Sequence, residues 1–98
     1  MVDKSGRVDN SELLKNVEEI VMIVRHIVDH PDEVRVNVRG GAIRVTAELY
    51  TCDDDVAQVI GKNGHIVTSL RALVQAFSGK HGIKVDLDYV TEYQLRNR

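Results

Sequence analysis

Two glycines three positions apart, Gly61 and Gly64, are the residues whose type and spacing most clearly suggest chemistry. They flank Lys62 and Asn63 in a G-x-x-G pattern. Because glycine has no Cβ, a ligand can approach the backbone closely, and Lys62 adds a mobile cation. Backbone N–H groups at the start of a following helix favour a phosphate. The segment therefore predicts a loop that binds a nucleic-acid backbone.

Apolar residues on both sides of this loop suggest how it is held. We expect Val59, Ile60 and Ile66 to anchor the loop on the core and to edge a shallow groove for unstacked bases. His65 could strengthen phosphate binding when it is protonated, and Arg71 would supply a second cation. The candidate nucleic-acid-binding residues are Val59, Ile60, Gly61, Lys62, Asn63, Gly64, His65, Ile66 and Arg71.

Other residues that could do chemistry favour simpler interpretations. The run Asp53-Asp54-Asp55 is typical of a helix start, where acidic side chains cap the helix and favour its dipole. A calcium loop would need later ligands and a glycine at set offsets, and the sequence lacks them. We also find no motif context for a catalytic nucleophile and no paired Cys spacing for zinc. The sequence thus predicts no enzyme, cofactor or metal site, with surface positions for the four histidines, His26, His30, His65 and His81.

Length and composition fit one small domain. The chain has 98 residues, 43% of them apolar, and its single cysteine, Cys52, cannot form an internal disulfide, which favours the reducing cytoplasm. No apolar run approaches the ~18 residues of a membrane span, and the first residues do not resemble a secretory signal. Residues 1–34 hold four Lys or Arg against eight acids, and residues 35–98 hold nine against seven. The basic excess lies with the glycine loop but is small, so we expect weak, salt-sensitive binding.

The elements around the loop follow from hydrophobic periodicity. Asp9 and Glu12 have capping-box spacing, and the helix they begin should end near Asp29 because Pro31 disfavours helical geometry before it. Its apolar stripe, which Met22 and Ile23 would widen, comprises Leu13, Leu14, Val17, Ile20, Val21, Val24, Ile27 and Val28.

Alternating apolar and polar residues then predict three strands. Residues 34–38 and 43–49 should form an antiparallel hairpin across a two-residue turn at Gly40-Gly41. A short helix over residues 56–60 leads into the loop. A longer one follows, ends at Ser78-Gly79 and precedes a last strand over residues 83–89. Its apolar face would comprise Ile66, Leu70, Leu73, Val74 and Phe77.

The predicted fold is a two-layer α+β domain. Its order is α-β-β-α-α-β, with three helices on one face of a three-stranded sheet. We expect this domain to span residues 10–90, with a flexible N-terminal tail over residues 1–9 and a C-terminal tail over residues 91–98.

The segment from Asp54 to Ile66, followed by Ser69-Leu70-Arg71-Ala72-Leu73, resembles a K-homology (KH) domain. The element order resembles the type II, bacterial topology. The segment His30-Pro31-Asp32-Glu33-Val34 leads into the first strand. With this segment and the loop, the chain is similar to the small single-KH-domain bacterial RNA-binding proteins of the KhpA family.

The resemblance implies non-catalytic binding of single-stranded RNA in the cytoplasm, with Gly61 to Gly64 on the RNA backbone. It also implies a post-transcriptional regulator or RNA chaperone linked to cell-envelope growth, cell shape and cell-wall regulation. The implied assembly is a homodimer, or a heterodimer with a larger KH-containing protein. An alternative stays open, because the acidic first third and the wide apolar stripe also suit a protein–protein dimerisation or scaffold module with little RNA affinity.

Overall fold

The computed structural model describes residues 11–41 and 43–91. Its helices are α1 (Ser11–Ile27), α2 (Val56–Ile60) and α3 (His65–His81), and its strands are β1 (Arg35–Gly40), β2 (Arg44–Tyr50) and β3 (Lys84–Tyr89). Short 3-10 turns occupy Pro31–Glu33, Asp53–Asp55 and Lys62–Gly64. This order confirms the predicted α-β-β-α-α-β arrangement. The predicted cap at Asp9, the N-terminal tail and the C-terminal tail beyond Thr91 lie outside the described residues.

The sheet is mixed, with β2 in the centre. β1 runs antiparallel to β2 and places Val36 opposite Leu49, whereas β3 runs parallel to β2 and places Leu87 opposite Ala47. Parallel neighbours need a long crossover connection, and α2 and α3 form that connection here. The G-x-x-G loop therefore lies in the middle of the crossover.

One hydrophobic core joins the helices to the inward face of the sheet, which confirms the two-layer α+β prediction. Alternate residues of β2 and β3 point into it, as the period of two requires. The inward residues of these strands are Val45, Ala47, Leu49, Val85, Leu87 and Tyr89, and the helices contribute Leu13, Val17, Ile20, Val21, Val24, Val59, Val67, Leu70 and Val74. None of the helices in the described ranges is long and apolar enough to cross a membrane.

The buried stripe of α1 is narrower than predicted. Leu14, Met22 and Ile23 are exposed, although the sequence placed all three on the apolar face. Successive helical residues turn by about 100°, so Met22 and Ile23 point away from the side on which Val21 and Val24 meet the core. Helix α1 therefore leaves large apolar side chains at the surface.

The hairpin between β1 and β2 is longer than the predicted two-residue turn. Gly40 belongs to β1 and stands opposite Val45, and the Gly41 N–H donates to the Arg44 carbonyl at 3.0 Å. The connection therefore spans residues 41–43, and Ile43, which was predicted to point inward, is exposed there.

Helix α3 also differs from its predicted course. It continues past Ser78-Gly79 to His81, and the N–H of the left-handed Gly82 closes it on the Ser78 carbonyl at 3.0 Å. Val67 is buried, whereas Leu73, predicted for the apolar face, is exposed. The buried side of α3 is thus rotated towards Val67 and Val74.

Candidate nucleic-acid interface

Gly61 ends α2 with φ 75° and ψ 178°, a backbone conformation that residues with a Cβ rarely adopt. Its N–H donates to the Ala57 carbonyl at 2.9 Å. A Cβ at this position would lie 2.6 Å from Cγ1 and 2.9 Å from Cβ of Ile66. The loop is therefore packed so closely against Ile66 that only glycine fits.

Two left-handed residues then turn the chain from α2 into α3. Asn63 has φ 56° and ψ 24°, and Gly64 has φ 75° and ψ 13°. The Gly64 N–H donates to the Gly61 carbonyl at 3.2 Å, which closes the turn. Unlike Gly61, Gly64 has open space where a Cβ would stand. Position 64 therefore favours glycine because of its left-handed backbone conformation, and not because a side chain would clash there.

The start of α3 offers backbone donors beside a cation. Gly64 is the N-cap residue, and no side chain caps this end of the helix. The His65 N–H donates to the Lys62 carbonyl. The next N–H groups of a first helical turn generally lack an intrahelical carbonyl partner, and together with the helix dipole they favour an anion. Lys62, Asn63 and His65 are exposed at this end. Lys62 forms no ion pair among residues 11–41 and 43–91, so its ammonium group is available to a phosphate.

The apolar residues around the loop differ in how far they are buried. Val59 is fully buried and belongs to the core cluster, so it anchors α2 and presents no surface to a ligand. Ile60 and Ile66 are 37% and 36% exposed, respectively. These two side chains are the ones that can edge a groove beside the loop.

Arg71 lies apart from the loop. It follows Gly64 by seven residues on α3, which corresponds to about 10 Å along the helix. Its Nε donates to the Leu87 carbonyl of β3 at 3.4 Å. Gln75 and Ser78 donate to the Val85 carbonyl in the same way, at 3.1 and 3.3 Å. Arg71 therefore belongs to a row of α3 side chains along the outer edge of β3.

The arginines on the outward side of the hairpin have partners within the sheet. Arg39 pairs with Glu48 at 3.3 Å and Arg44 pairs with Asp86 at 3.0 Å. The Arg35 guanidinium lies 5.1 Å from the centre of the Tyr50 ring. These contacts leave Lys62 better placed than the hairpin arginines to attract a phosphate.

Asp55 has a role that the sequence did not reveal. We predicted that this aspartate would cap a helix, but it makes no side-chain cap bond to α2. Its carboxylate is 0% exposed and accepts hydrogen bonds from the N–H of Asp29 and of His30, at 3.3 and 3.0 Å. It also contacts Nδ1 of the His30 ring at 3.1 Å. Asp55, the residue immediately before α2, thus connects the start of that helix to the segment after α1.

The Asp55–His30 contact changes both acid–base equilibria. The hydrogen bond with Asp55 raises the pKa of His30 above its usual value. Burial by itself would raise the pKa of Asp55, but the His30 ring and the two backbone N–H groups outweigh it, so this pKa is lowered. The carboxylate is therefore ionised and the ring donates to it. No local pattern shows such a pair, because 25 residues separate the two partners.

A three-stranded mixed sheet covered by three helices, with a G-x-x-G loop inside the helical crossover, defines a KH domain of the type II topology. The protein belongs to the KhpA/KhpB KH-domain family, whose model matches residues 17–88.

Curated relatives agree with that assignment. The RNA-binding protein KhpA of Mycobacterium tuberculosis is 41% identical over 71 residues, which cover 72% of this chain and 88% of the relative. The protein of the same name from Listeria monocytogenes is 33% identical over 75 residues, covering 76% and 99%. That from Chlamydia pneumoniae is 28% identical over 75 residues, covering 76% and 96%.

Proposed function

We propose that this protein binds single-stranded RNA, without catalysis, through the G-x-x-G loop between α2 and α3. The observation that carries the proposal is the uncapped start of α3 beside the exposed ammonium group of Lys62. Helix N-termini with free N–H groups bind phosphate readily. The names of the curated relatives, RNA-binding protein KhpA, support RNA as the ligand.

Each candidate residue has a separate part in this proposal. The backbone of Gly61 to Gly64 lets the ribose-phosphate chain come close, while Lys62 and Asn63 contact a phosphate. Ile60 and Ile66 edge the groove in which unstacked bases lie, and Val59 holds the loop to the core. His65 adds charge when it is protonated. Arg71 contacts the RNA beyond the loop, at the far end of the groove.

We extend the proposal to the biological role. Binding of short single-stranded segments without catalysis suits a cytoplasmic post-transcriptional regulator or RNA chaperone, linked to cell-envelope growth, cell shape and cell-wall regulation. The small charge excess predicts modest affinity for one loop, and a second copy would raise the affinity because two linked weak sites bind more tightly than one.

Replacing Lys62 and Asn63 with aspartate is expected to weaken RNA binding at least about tenfold, because two carboxylates would repel the phosphate. Aspartate tolerates the left-handed geometry of position 63, so the fold should persist. Fluorescence anisotropy with a labelled pool of short single-stranded RNA at low salt measures the affinity. The log–log salt slope should become shallower by about 0.7 for each phosphate that the variant no longer neutralises.

The matched control is the double variant Ala76→Asp with Lys80→Asp, on exposed positions of α3 away from the loop. It makes the same change in net charge and should keep most of the affinity. Equal affinity of the loop variant and the wild type, with both folded by circular dichroism, would contradict the proposed site. An equal reduction of affinity in the two double variants would mean that net charge, not the loop, governs binding.

A second candidate function is a dimerisation or scaffold module, as a homodimer or with a larger KH-containing partner. The observation in its favour is that Leu14, Met22 and Ile23 are exposed on α1. We expect light scattering of nuclease-treated protein to give the mass of a dimer. A monomer that still binds RNA and captures no KH-containing partner would count against this function.

A further inference from the structure

Three side chains with metal-binding atoms meet where α1 ends and α2 begins. A ring nitrogen of His30, a carboxylate oxygen of Glu33 and Sγ of Cys52 all lie within 4.8 Å of one another. His30 precedes the 3-10 turn after α1 and Glu33 is the last residue of that turn, whereas Cys52 follows β2. The fold thus brings together three ligand types that no sequence motif connects.

The His30 ring is already oriented as in many metal sites. Both oxygens of the buried Asp55 carboxylate lie close to His30 Nδ1, at 3.1 and 3.2 Å. A neutral imidazole that donates from Nδ1 has its lone pair on Nε2. Metal-binding histidines almost always donate their second ring N–H to a carboxylate, carbonyl or water. Asp55 therefore supplies the orienting partner that such a site requires.

The other two groups can supply a thiolate and a carboxylate. The Asp54 backbone N–H lowers the pKa of Cys52, but burial and the neighbouring Glu33 carboxylate outweigh it, so the pKa is raised. Sulfur, imidazole and carboxylate together suit zinc, whereas calcium and magnesium prefer oxygen ligands alone.

A cation can reach these groups through an open, acidic cavity. Its volume is about 600 Å³, and Glu33 and Cys52 form part of its wall. The lining contains four carboxylates and one guanidinium, so the local potential favours cations. Tetrahedral zinc needs ligand atoms about 3.5 Å apart. His30 and Glu33 are exposed, so their side chains have room to adjust around a bound ion.

We propose that His30 Nε2, Cys52 Sγ and the Glu33 carboxylate bind one zinc ion, with water as the fourth ligand. The site lies at the opposite end of α2 from the G-x-x-G loop and does not depend on RNA binding. A bound ion would link the turn after α1 to the segment before α2, so it would stabilise the start of the helix that carries the loop.

Zinc titration of the metal-free full chain against a chromophoric chelator tests the proposal. We expect one equivalent to bind with a micromolar or lower Kd and to raise the Tm. Cobalt(II) should give the thiolate charge-transfer band and the visible bands of a tetrahedral site. Cys52→Ser and Glu33→Gln change a half-buried and an exposed side chain, so both variants should fold, and each should weaken binding more than about tenfold.

His26→Gln is the matched control, because His26 is an exposed imidazole on α1 outside the cluster. It should bind zinc as the wild type does. The proposal is wrong if the wild type binds no stoichiometric zinc, or if Cys52→Ser and Glu33→Gln bind it as tightly as the wild type. Loss of zinc binding in His26→Gln would also overturn it, because the ligands would then lie elsewhere.

Discussion

Replacing Gly61 with alanine is expected to destabilise the domain by about 3 kcal/mol, through a forbidden backbone conformation and a steric clash. The φ of 75° with ψ of 178° is a region that essentially only glycine occupies. The new methyl group would also stand 2.6 to 2.9 Å from three carbons of the Ile66 side chain. Urea denaturation monitored by circular dichroism measures the loss.

Gly64→Ala is the matched control for this prediction. Gly64 also has a φ of 75°, but nothing lies within 4 Å of its missing Cβ. Alanine there is strained only by the left-handed backbone, which costs about 1 kcal/mol. The two variants should therefore differ in stability by about 2 kcal/mol. This difference would measure the combined effect of the close packing of Gly61 on Ile66 and the rarer ψ angle of Gly61.

A double variant separates the clash from the backbone strain. Ile66→Ala removes Cγ1 and Cδ1, the two nearer of the three carbons that the new methyl group would meet, so Gly61→Ala should cost less in that background, by about 1 kcal/mol. If the stability losses of Gly61→Ala and Ile66→Ala were additive, the clash must be relieved in another way. Backbone strain would then explain the whole cost of Gly61→Ala. If Gly61→Ala were no more destabilising than Gly64→Ala, the described loop geometry would be wrong.

The fold could be predicted from the sequence because its signals are local. Alternation over residues 43–49 identifies a strand, and apolar spacing from Leu13 to Val24 identifies a helix, since each pattern reports the geometry of its own element. The order of elements and the G-x-x-G motif then leave few arrangements. A two-layer domain with the loop between two helices follows from these signals, whereas the parallel pairing of β3 with β2, which makes the helices a crossover, is seen only in the structure.

Exposure within the elements was harder to predict. Met22, Ile23 and Leu73 are apolar residues in helices, and nothing in their own type distinguishes them from buried neighbours. Which side of a helix is buried depends on how the helix lies on the sheet, and a few tens of degrees of rotation decide it. Sequence patterns fix that rotation only loosely.

Contacts between distant segments could not be predicted at all. Asp55 was interpreted as a helix cap, because acidic residues before a helix usually act that way. Its true partners lie in the turn after α1, and the proposed zinc ligands depend on the same approach of the two segments. The sequence showed no paired metal motif, so it predicted surface histidines instead.

Both ends of α2 are thus fixed by contacts made outside the helix. The helix has only five residues, which is too short to be stable on its own. Gly61 packs on Ile66 at its end, and Asp55 joins its start to the segment after α1. The position of the proposed RNA-binding loop should therefore depend on the Asp55 carboxylate, which lies at the opposite end of α2.

The change Asp55→Asn is accordingly expected to lower the Tm by about 5 °C or more, although Asp55 contacts neither the loop nor a ligand. An amide presents only one acceptor oxygen, and its NH₂ group faces donors that the carboxylate now satisfies: the N–H of Asp29 and of His30 and the His30 ring. Buried donors that lose their acceptor bear the full desolvation penalty.

Asp54→Asn is the control for the Asp55 variant. It makes the same change of charge one residue away at an exposed position, so its Tm should stay within about 2 °C of the wild type, as for most surface substitutions. Hydrogen exchange adds a local measurement. Protection should fall first in α2 and in the segment 28–34, because these are the segments that Asp55 joins. If both variants melted alike, the buried carboxylate would not be what holds the start of α2.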